Sequence, residues 1–236
     1  MYLHRFEVLG STQDEAHRLA AQGALAGTAV VAERQTAGRG SRGREWESAP
    51  GGLWLSVVAR PAAGAELSSV RAGLAVADAV DALGGVPAVG LKWPNDVIVD
   101  DRKLGGVLCE ARWQGDLLAW VAVGVGLNVR NRPPGDARLP AASLSEWRPE
   151  LRPGDLIPGI VERLAALDDA RPLLTPAELA RYARRDWLRG RLLGAPVAGR
   201  GDGIDPDGAL RVRRPDGTVA LVHTGEPFAS VELASG

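Results

Sequence analysis

Residues 89–129 read as β-structure almost without a break, and no other stretch constrains the fold as strongly. VGLKW stops at a Pro94-Asn95-Asp96 turn; VIVDDRKLGGVLCEARW follows, with a second turn near Asp100-Asp101; LLAWVAVGVGLNV begins after Gln114-Gly115-Asp116. Short connections between apolar β-runs make neighbours antiparallel, so the segment predicts a meander. Strands rich in Val, Leu and Ile must bury a face, and amphipathic elements have to cover it.

Covering elements are legible on both sides of that run. Ser11 is an N-cap candidate, and Asp14 and Glu15 fall in the first turn of the helix it opens. Residues 66–83 carry Leu67, Val70, Leu74, Ala77 and Leu83 near helical spacing. Two further helices are predicted at about 154–169 and 176–187. TAVVAE (28–33) and LWLSVVARP predict two more strands, separated by a Gly- and Arg-rich loop. From Arg189 onward, short β-like runs are split by Asp-Gly turns at 207–208 and 216–217. This tail predicts a β-barrel of about 48 residues, too small to be robust alone, that packs on the main domain.

The chain has 236 residues, enough for one large domain or one domain with an appendage. A formal net charge of −1 argues against a protein whose task is to coat nucleic-acid phosphates. No apolar run reaches membrane-spanning length, and the N-terminus turns polar too early for a signal peptide. A single cysteine, Cys109, cannot form an internal disulfide and fits a reducing, cytoplasmic setting. His4, His17 and His223 are scattered, which leaves no zinc-ligand cluster.

The cations are more pointed. Of 28 Lys and Arg, only Lys92 and Lys103 are lysines. A background that writes nearly every cation as Arg keeps Lys at two places 11 residues apart. An ammonium is a compact point charge on a flexible stem, which a guanidinium does not reproduce.

GRGSRG (38–43) matches G-x-G-x-x-G, but a strand follows it instead of the helix that a dinucleotide site requires. The loop also carries Arg39, Arg42 and Arg44, with Arg34 just upstream. Two uses fit such a loop: a solvated basic surface, or a flap whose backbone and guanidinium groups meet a phosphorylated ligand. In KWPNDVIVDDRKLGG, Lys103 opens a strand that continues into Gly105 and Gly106. Alternation puts Lys103 and Gly105 on one face, where a ligand can lie over the glycine and meet the ammonium. GVGLNV places two glycines before Asn128, whose amide both donates and accepts. Cys109 reads as a small core residue. Trp46 and Trp93 each adjoin a charged motif.

The order GSTQDEA, ERQTAGRGSRGREW, GGLWLSV, LKWPNDVIVDDRKLGGVLCE, VGVGLNV resembles the biotin–protein ligase family, and the GIDPDGAL…DGTV…HTGE tail is similar to its C-terminal barrel. The resemblance covers essentially the whole chain. It implies an α+β fold: a central mixed or antiparallel sheet flanked by helices, like class II synthetases, and then an SH3-like β-barrel. The expected division is a catalytic domain at 1–187 and the barrel at 188–236.

The activity implied is formation of biotinyl-5′-AMP from biotin and ATP with Mg2+, then transfer of biotin to a lysine of a biotin carboxyl carrier domain. Lys103 matches the lysine that meets both the biotin carboxylate and the α-phosphate, and Arg39 the loop arginine that closes over the adenylate. Ser11, Thr12 and Gln35 match polar groups for the ureido ring, with Gln13, Gly38, Gly40, Ser41 and Gly106 also on the biotin and adenylate side. Arg42, Arg44, Trp46, Asp96 and Asn128 fall on the ATP side; no protein metal ligand is identified.

Three positions depart from the family pattern: Gln13 stands where many members carry Asn, Ser41 where many carry Arg, and GEPFASVEL lacks an Arg found in some. Arg42 or Arg44 is expected to stand in for the guanidinium missing at Ser41. The motifs begin at residue 11, which implies a form without the N-terminal DNA-binding domain of some members. Either a monomer or a homodimer fits. The competing readings are a lipoate or octanoate protein ligase and a non-catalytic biotin sensor.

Overall fold

A computed structural model of the protein describes residues 2–61, 65–133, 139–166, 171–224 and 231–234. In chain order its elements are β1 (Leu3–Leu9), α1 (Thr12–Ala21), β2 (Ala29–Gln35), β3 (Leu53–Ala59), α2 (Ser68–Asp81), β4 (Gly90–Lys92), β5 (Asp96–Val99), β6 (Arg102–Gln114), β7 (Leu117–Leu127), α3 (Pro153–Ala165), α4 (Pro176–Arg185), β8 (Leu192–Ala195), β9 (Gly199–Ile204), β10 (Leu210–Arg213), β11 (Val219–Val222) and β12 (Glu232–Leu233). None of the described helices is long and apolar enough to cross a membrane.

The first seven strands make one mixed sheet in the order β1-β2-β3-β7-β6-β5-β4. The predicted meander is its half from β4 to β7, antiparallel throughout. Asp100 and Asp101 both take positive φ, which is the backbone that a two-residue hairpin turn demands. β1 was not predicted. It pairs parallel to β2 at the sheet edge, with α1 as the crossover. Its half-buried residues Leu3, Phe6 and Leu9 recur every third position rather than every second, and none is fully buried.

The two faces of the sheet are covered differently. Ala29, Leu55, Val57, Val121 and Val123 point to the side packed by α2 and α3, where the large core sits. Val30, Val58 and Ala122 point the other way, against Ala16 and Ala20 of α1. α1 is short, so part of this second face stays open beyond its N-terminus. Gly124 and Gly126 of β7 lie in that open part, flanked in register by Ser56 and Trp54 on one side and by Leu108 and Gly106 on the other.

α4 begins as its sequence dictates: Thr175 and Glu178 form a reciprocal capping box around Pro176. Glu178 also pairs with Arg71 of α2, a guanidinium only 3% exposed, at 2.8 Å. The last five strands form an antiparallel sheet in the order β11-β10-β9-β8-β12, as in an SH3-like unit. Gly208 and Gly217 supply the positive φ of the two Asp-Gly turns. Leu193, Leu210, Val212 and Val222 continue the main core, and Trp93 Nε1 donates to Gly208 O at 2.9 Å. The small sheet therefore packs on the large one, as its size requires.

Candidate active site

A cavity of about 270 Å³ occupies the open part of the α1 face. Its floor is the glycine pair of β7, and the loop after β2 forms one wall.

At one end the groups are neutral and fixed. Ser11 caps α1, with Oγ accepting from Gln13 N at 3.3 Å. Gln35 Oε1 accepts from both Thr12 N (2.8 Å) and Thr12 Oγ1 (3.0 Å). A backbone N–H can only donate, so this sets the orientation of the Gln35 amide. Its Nε2 then donates to Ser48 Oγ at 2.7 Å. Ser11, Thr12 and Gln13 are all at least 95% buried.

Gln13 does not face away. It lies across Gly124, where a Cβ would come within 3.0 Å of its amide carbon. Absence of a side chain at Gly124 houses the extra methylene that distinguishes Gln from the family's Asn. Gln13 Nε2 donates toward Leu108 O and Ala122 O, while its buried Oε1 has no partner. An unpaired buried acceptor is costly and suits a ligand N–H.

At the other end lies charge. Lys103 Nζ is 2.6 Å from Asp96 Oδ1 and 5.2 Å from the centre of the Trp46 ring. Trp46 stands over Gly126, where a Cβ would meet the indole nitrogen at 2.9 Å; that buried Nε1 also lacks a partner. Lys103 N donates to Pro140 O and its carbonyl accepts from Ala142 N, which pins the backbone beside the cavity. Asn128 is buried, with Oδ1 accepting from Asn131 at 3.0 Å.

The expected partnership of Lys103 with Gly105 needs correction. The register of β5 on β6 shifts between Val97 and Ile98, so that one residue of β6, Leu104, is extra. Alternation slips by one, and Gly106 joins Lys103 in lining the cavity. Gly105 instead faces β7, where a Cβ would lie 2.2 Å from Gly126 O.

The arginine loop packs against this site. Gly40 N donates to Arg44 O, and Arg42 sits in the left-handed region. Arg39 reaches Asp14 Oδ1 at 2.7 Å and Glu110 Oε2 at 3.1 Å. Glu110 is held down at about 2, first by its hydrogen bond with His17 and then, against burial, by Arg39. Arg44 folds back on Ser41, donating from Nη2 to Oγ at 3.1 Å, and lines the cavity with Ser41 and Gly40. Of the two candidates for the missing guanidinium, Arg44 lines this cavity and Arg42 lines only an adjoining one. Gly38 lies behind the loop, packed on Trp46 O and Ser48 Oγ, and lines neither cavity. The GEPFAS stretch at 225–230 lies outside the described residues.

Sequence reasoning missed Ser56, Asn95 and Glu110. Ser56 Oγ is 2.9 Å from Thr12 Oγ1, and a lone Ser inside an apolar strand was the available signal. Asn95 Nδ2 donates to Val107 O and holds the turn that presents Asp96. Glu110 had no local signal, since its partners lie 71 to 97 residues away.

Two anions can be joined only where fixed cations offset their repulsion, and a neutral polar pocket running into a lysine-bearing end meets that need. That arrangement suits a ligase that couples a small carboxylic acid to a nucleotide. Comparison with known proteins narrows the class. The model of the biotin/lipoate A/B protein ligase family matches residues 6–128. The biotin–[acetyl-CoA-carboxylase] ligase of Paracoccus denitrificans is 36% identical, over 88% of this chain and 92% of that protein. The bifunctional ligase/repressor BirA of Bacillus subtilis is 32% identical, over 89% of this chain and 69% of its own length. The structure of the Aquifex aeolicus biotin protein ligase in complex with biotin and ATP superposes with a TM-score of 0.81 at 26% identity, over 99% of both chains. The chain belongs to the biotin/lipoate A/B protein ligase family.

Proposed function

We propose that the protein activates biotin with ATP and transfers it to a lysine of a biotin carboxyl carrier domain. In the first step a biotin carboxylate oxygen bonds to the α-phosphorus of ATP. The bond from that phosphorus to the bridging oxygen breaks, and pyrophosphate leaves with the electron pair. In the second step the carrier amine attacks the anhydride carbonyl, an amide forms with loss of one proton from nitrogen, and AMP leaves. The observation that carries this reading is Lys103, whose ammonium lies at the charged end of the cavity, 2.6 Å from Asp96. It neutralises the carboxylate and the α-phosphate as they meet, and it is not a nucleophile.

Ser11, Thr12 and Gln35 hydrogen-bond the ureido ring, and the unpaired Gln13 oxygen supplies one more acceptor for a ring N–H. Gly40, Ser41, Gly106 and Arg39 border the adenylate, with Arg44, Trp46, Asp96 and Asn128 on its nucleotide side. Arg39 starts from its pairs with Asp14 and Glu110 and exchanges them for the adenylate. Residues 1–187 form the catalytic unit and 188–236 the barrel.

Mg2+ enters as the salt of ATP. Among the described residues no three His, Cys, Asp or Glu side chains gather to hold a metal, and Asp96 is engaged by lysines. Mg2+ bound largely through substrate phosphates fits that arrangement. The lone cysteine goes with a cytoplasmic location.

The experiment is ATP–pyrophosphate exchange with biotin, with lipoate and with neither. Biotin-dependent exchange is expected. Exchange driven by lipoate replaces the substrate, and biotin binding without exchange makes the protein a sensor.

A further inference from the structure

Asn128 follows directly on β7, and the sense of its amide is decided by a residue that lines neither the cavity nor the one adjoining it. Val129 N donates to Asn131 Oδ1 at 3.1 Å. A main-chain N–H can only donate, so the Asn131 oxygen takes this place and its nitrogen is turned to Asn128. Asn131 Nδ2 donates to Asn128 Oδ1 at 3.0 Å. The Asn128 oxygen is thus occupied, and its Nδ2 is the group left to present. Among the described residues that Nδ2 has no hydrogen-bond partner, and Asn128 lines the cavity. Both amides are enclosed, Asn128 being 4% exposed and Asn131 7%.

The main chain around these two residues is held by other bonds. Asn128 N donates to Leu104 O at 2.9 Å, and Asn128 O accepts from Leu144 N at 3.1 Å. Val129 O accepts from Ser145 N at 2.7 Å, and Arg130 N donates to Gly51 O at 2.8 Å. Gly51 has positive φ, and a Cβ there would come within 3.0 Å of Asn131 N, so glycine lets the two loops meet. With the backbone fixed at four points, the Asn131 donor is not needed to hold the path of the chain. What it sets is the direction of the Asn128 amide. Turned over, that amide would point an oxygen into the cavity. The phosphate, ribose and ring atoms of a nucleotide offer mostly acceptors, and an acceptor set against an acceptor leaves both unpaired.

We propose that Asn131 is a positioning residue for the nucleotide: it locks the Asn128 amide with its nitrogen toward the cavity, so that Asn128 gives a donor to an acceptor atom of ATP. The proposal rests on the adenylation reading above, which puts Asn128 on the nucleotide side. Asn131 itself touches no substrate and acts only through Asn128. The acid is held by other groups at the neutral end, so loss of Asn131 shows in the nucleotide and not in the acid.

The test compares the full chain as wild type, Asn131→Asp, Asn128→Ala and the double variant, by ATP–pyrophosphate exchange and by direct titration with ATP. Asn131→Asp keeps an oxygen for Val129 N and withdraws the donor from Asn128, which then turns its own nitrogen to residue 131 and its oxygen to the cavity. It is expected to raise KM and Kd for ATP by about ten-fold and to leave KM for biotin within about two-fold. In the Asn128→Ala background the same change is expected to add less than about two-fold, because no amide is left to turn. Asn131→Ala, which adds no charge, is the second variant and shows the same dependence on Asn128. Unaltered KM and Kd for ATP overturn the proposal. An equal rise for ATP and biotin overturns it too, as do effects of the two positions that simply multiply, since each marks a structural role. Titration with ATP needs no biotin, so an Asn128-dependent loss of ATP affinity without biotin-dependent exchange refutes the substrate and leaves the role of Asn131 standing.

Discussion

Trp120 donates its indole N–H to His17 Nδ1 at 2.9 Å, and this bond decides where His17 carries its own hydrogen. An indole nitrogen only donates, so Nδ1 accepts and the hydrogen sits on Nε2, 3.1 Å from Glu110 Oε2. The same carboxylate oxygen accepts from Gln13 at 3.3 Å and from Arg39 at 3.1 Å. A polar chain therefore runs from β7 through α1 to the arginine loop, and it orients both the unpaired acceptor of Gln13 and the loop guanidinium.

Glu110→Gln tests that chain. The Glu110 pKa is depressed to about 2, so its contribution to stability is full above the ordinary carboxylate value of 4.5 and is lost as pH falls through about 2. The glutamine variant is expected to melt lower at pH 7, by about 1–2 kcal/mol once solvent screening is allowed for. The gap to wild type should narrow between pH 4.5 and 2. Thermal melts across that range, with biotin affinity at pH 7 falling in parallel, check it.

Lys103→Ala is expected to reduce biotin-dependent exchange by about a hundred-fold or more, whereas Lys103→Arg loses much less. Either change removes the ammonium from Asp96, but only alanine removes the charge. Exchange in Lys103→Ala equal to wild type would show that the meeting of carboxylate and phosphate needs no cation at this position.

The part of the fold that could be read in advance was the part written in local signals. The Asp100-Asp101 turn, the Ser11 cap and the two Asp-Gly turns each need particular residues at particular φ. β1 has no such signal: as an edge strand with half-buried residues, it shows no period of two. Gly105 was misread because a bulge at Leu104, set by pairing with β5, cannot be seen within β6 alone. The lysines illustrate both cases. Composition singled them out, but their convergence on Asp96 depends on the register of β4 on β5 and of β5 on β6.

Gly124→Ala tests the accommodation of Gln13. A methyl group there comes 3.0 Å from the Gln13 amide carbon and 3.1 Å from its oxygen, so the side chain must move. Biotin affinity is expected to fall by about ten-fold, in keeping with overpacking in a closed site. Adding Gln13→Asn withdraws the amide by one methylene and should recover part of the loss. If the double variant binds no better than Gly124→Ala, the two residues are not a compensating pair.

Asp186, between α4 and the small sheet, carries the opposite pH signature to Glu110. Burial raises its pKa from an ordinary 3.8 to about 6, only partly offset by Leu188 N–H and the Arg189 charge. Its Oδ1 accepts from Leu188 N at 3.0 Å, but its buried Oδ2 has no partner. Since the folded value is raised, the protonated form is the one that favours folding: its contribution is full below pH 3.8 and is lost as pH rises through about 6. At pH 7.5 the ionised carboxylate is a net cost. Asp186→Asn keeps an acceptor for Leu188 and removes that charge, so it should stabilise the protein by about 1–2 kcal/mol at pH 7.5. The advantage should vanish near pH 4. Melting curves of both forms from pH 4 to 8 read this directly, and a constant offset between them would mean that Asp186 does not titrate in that range.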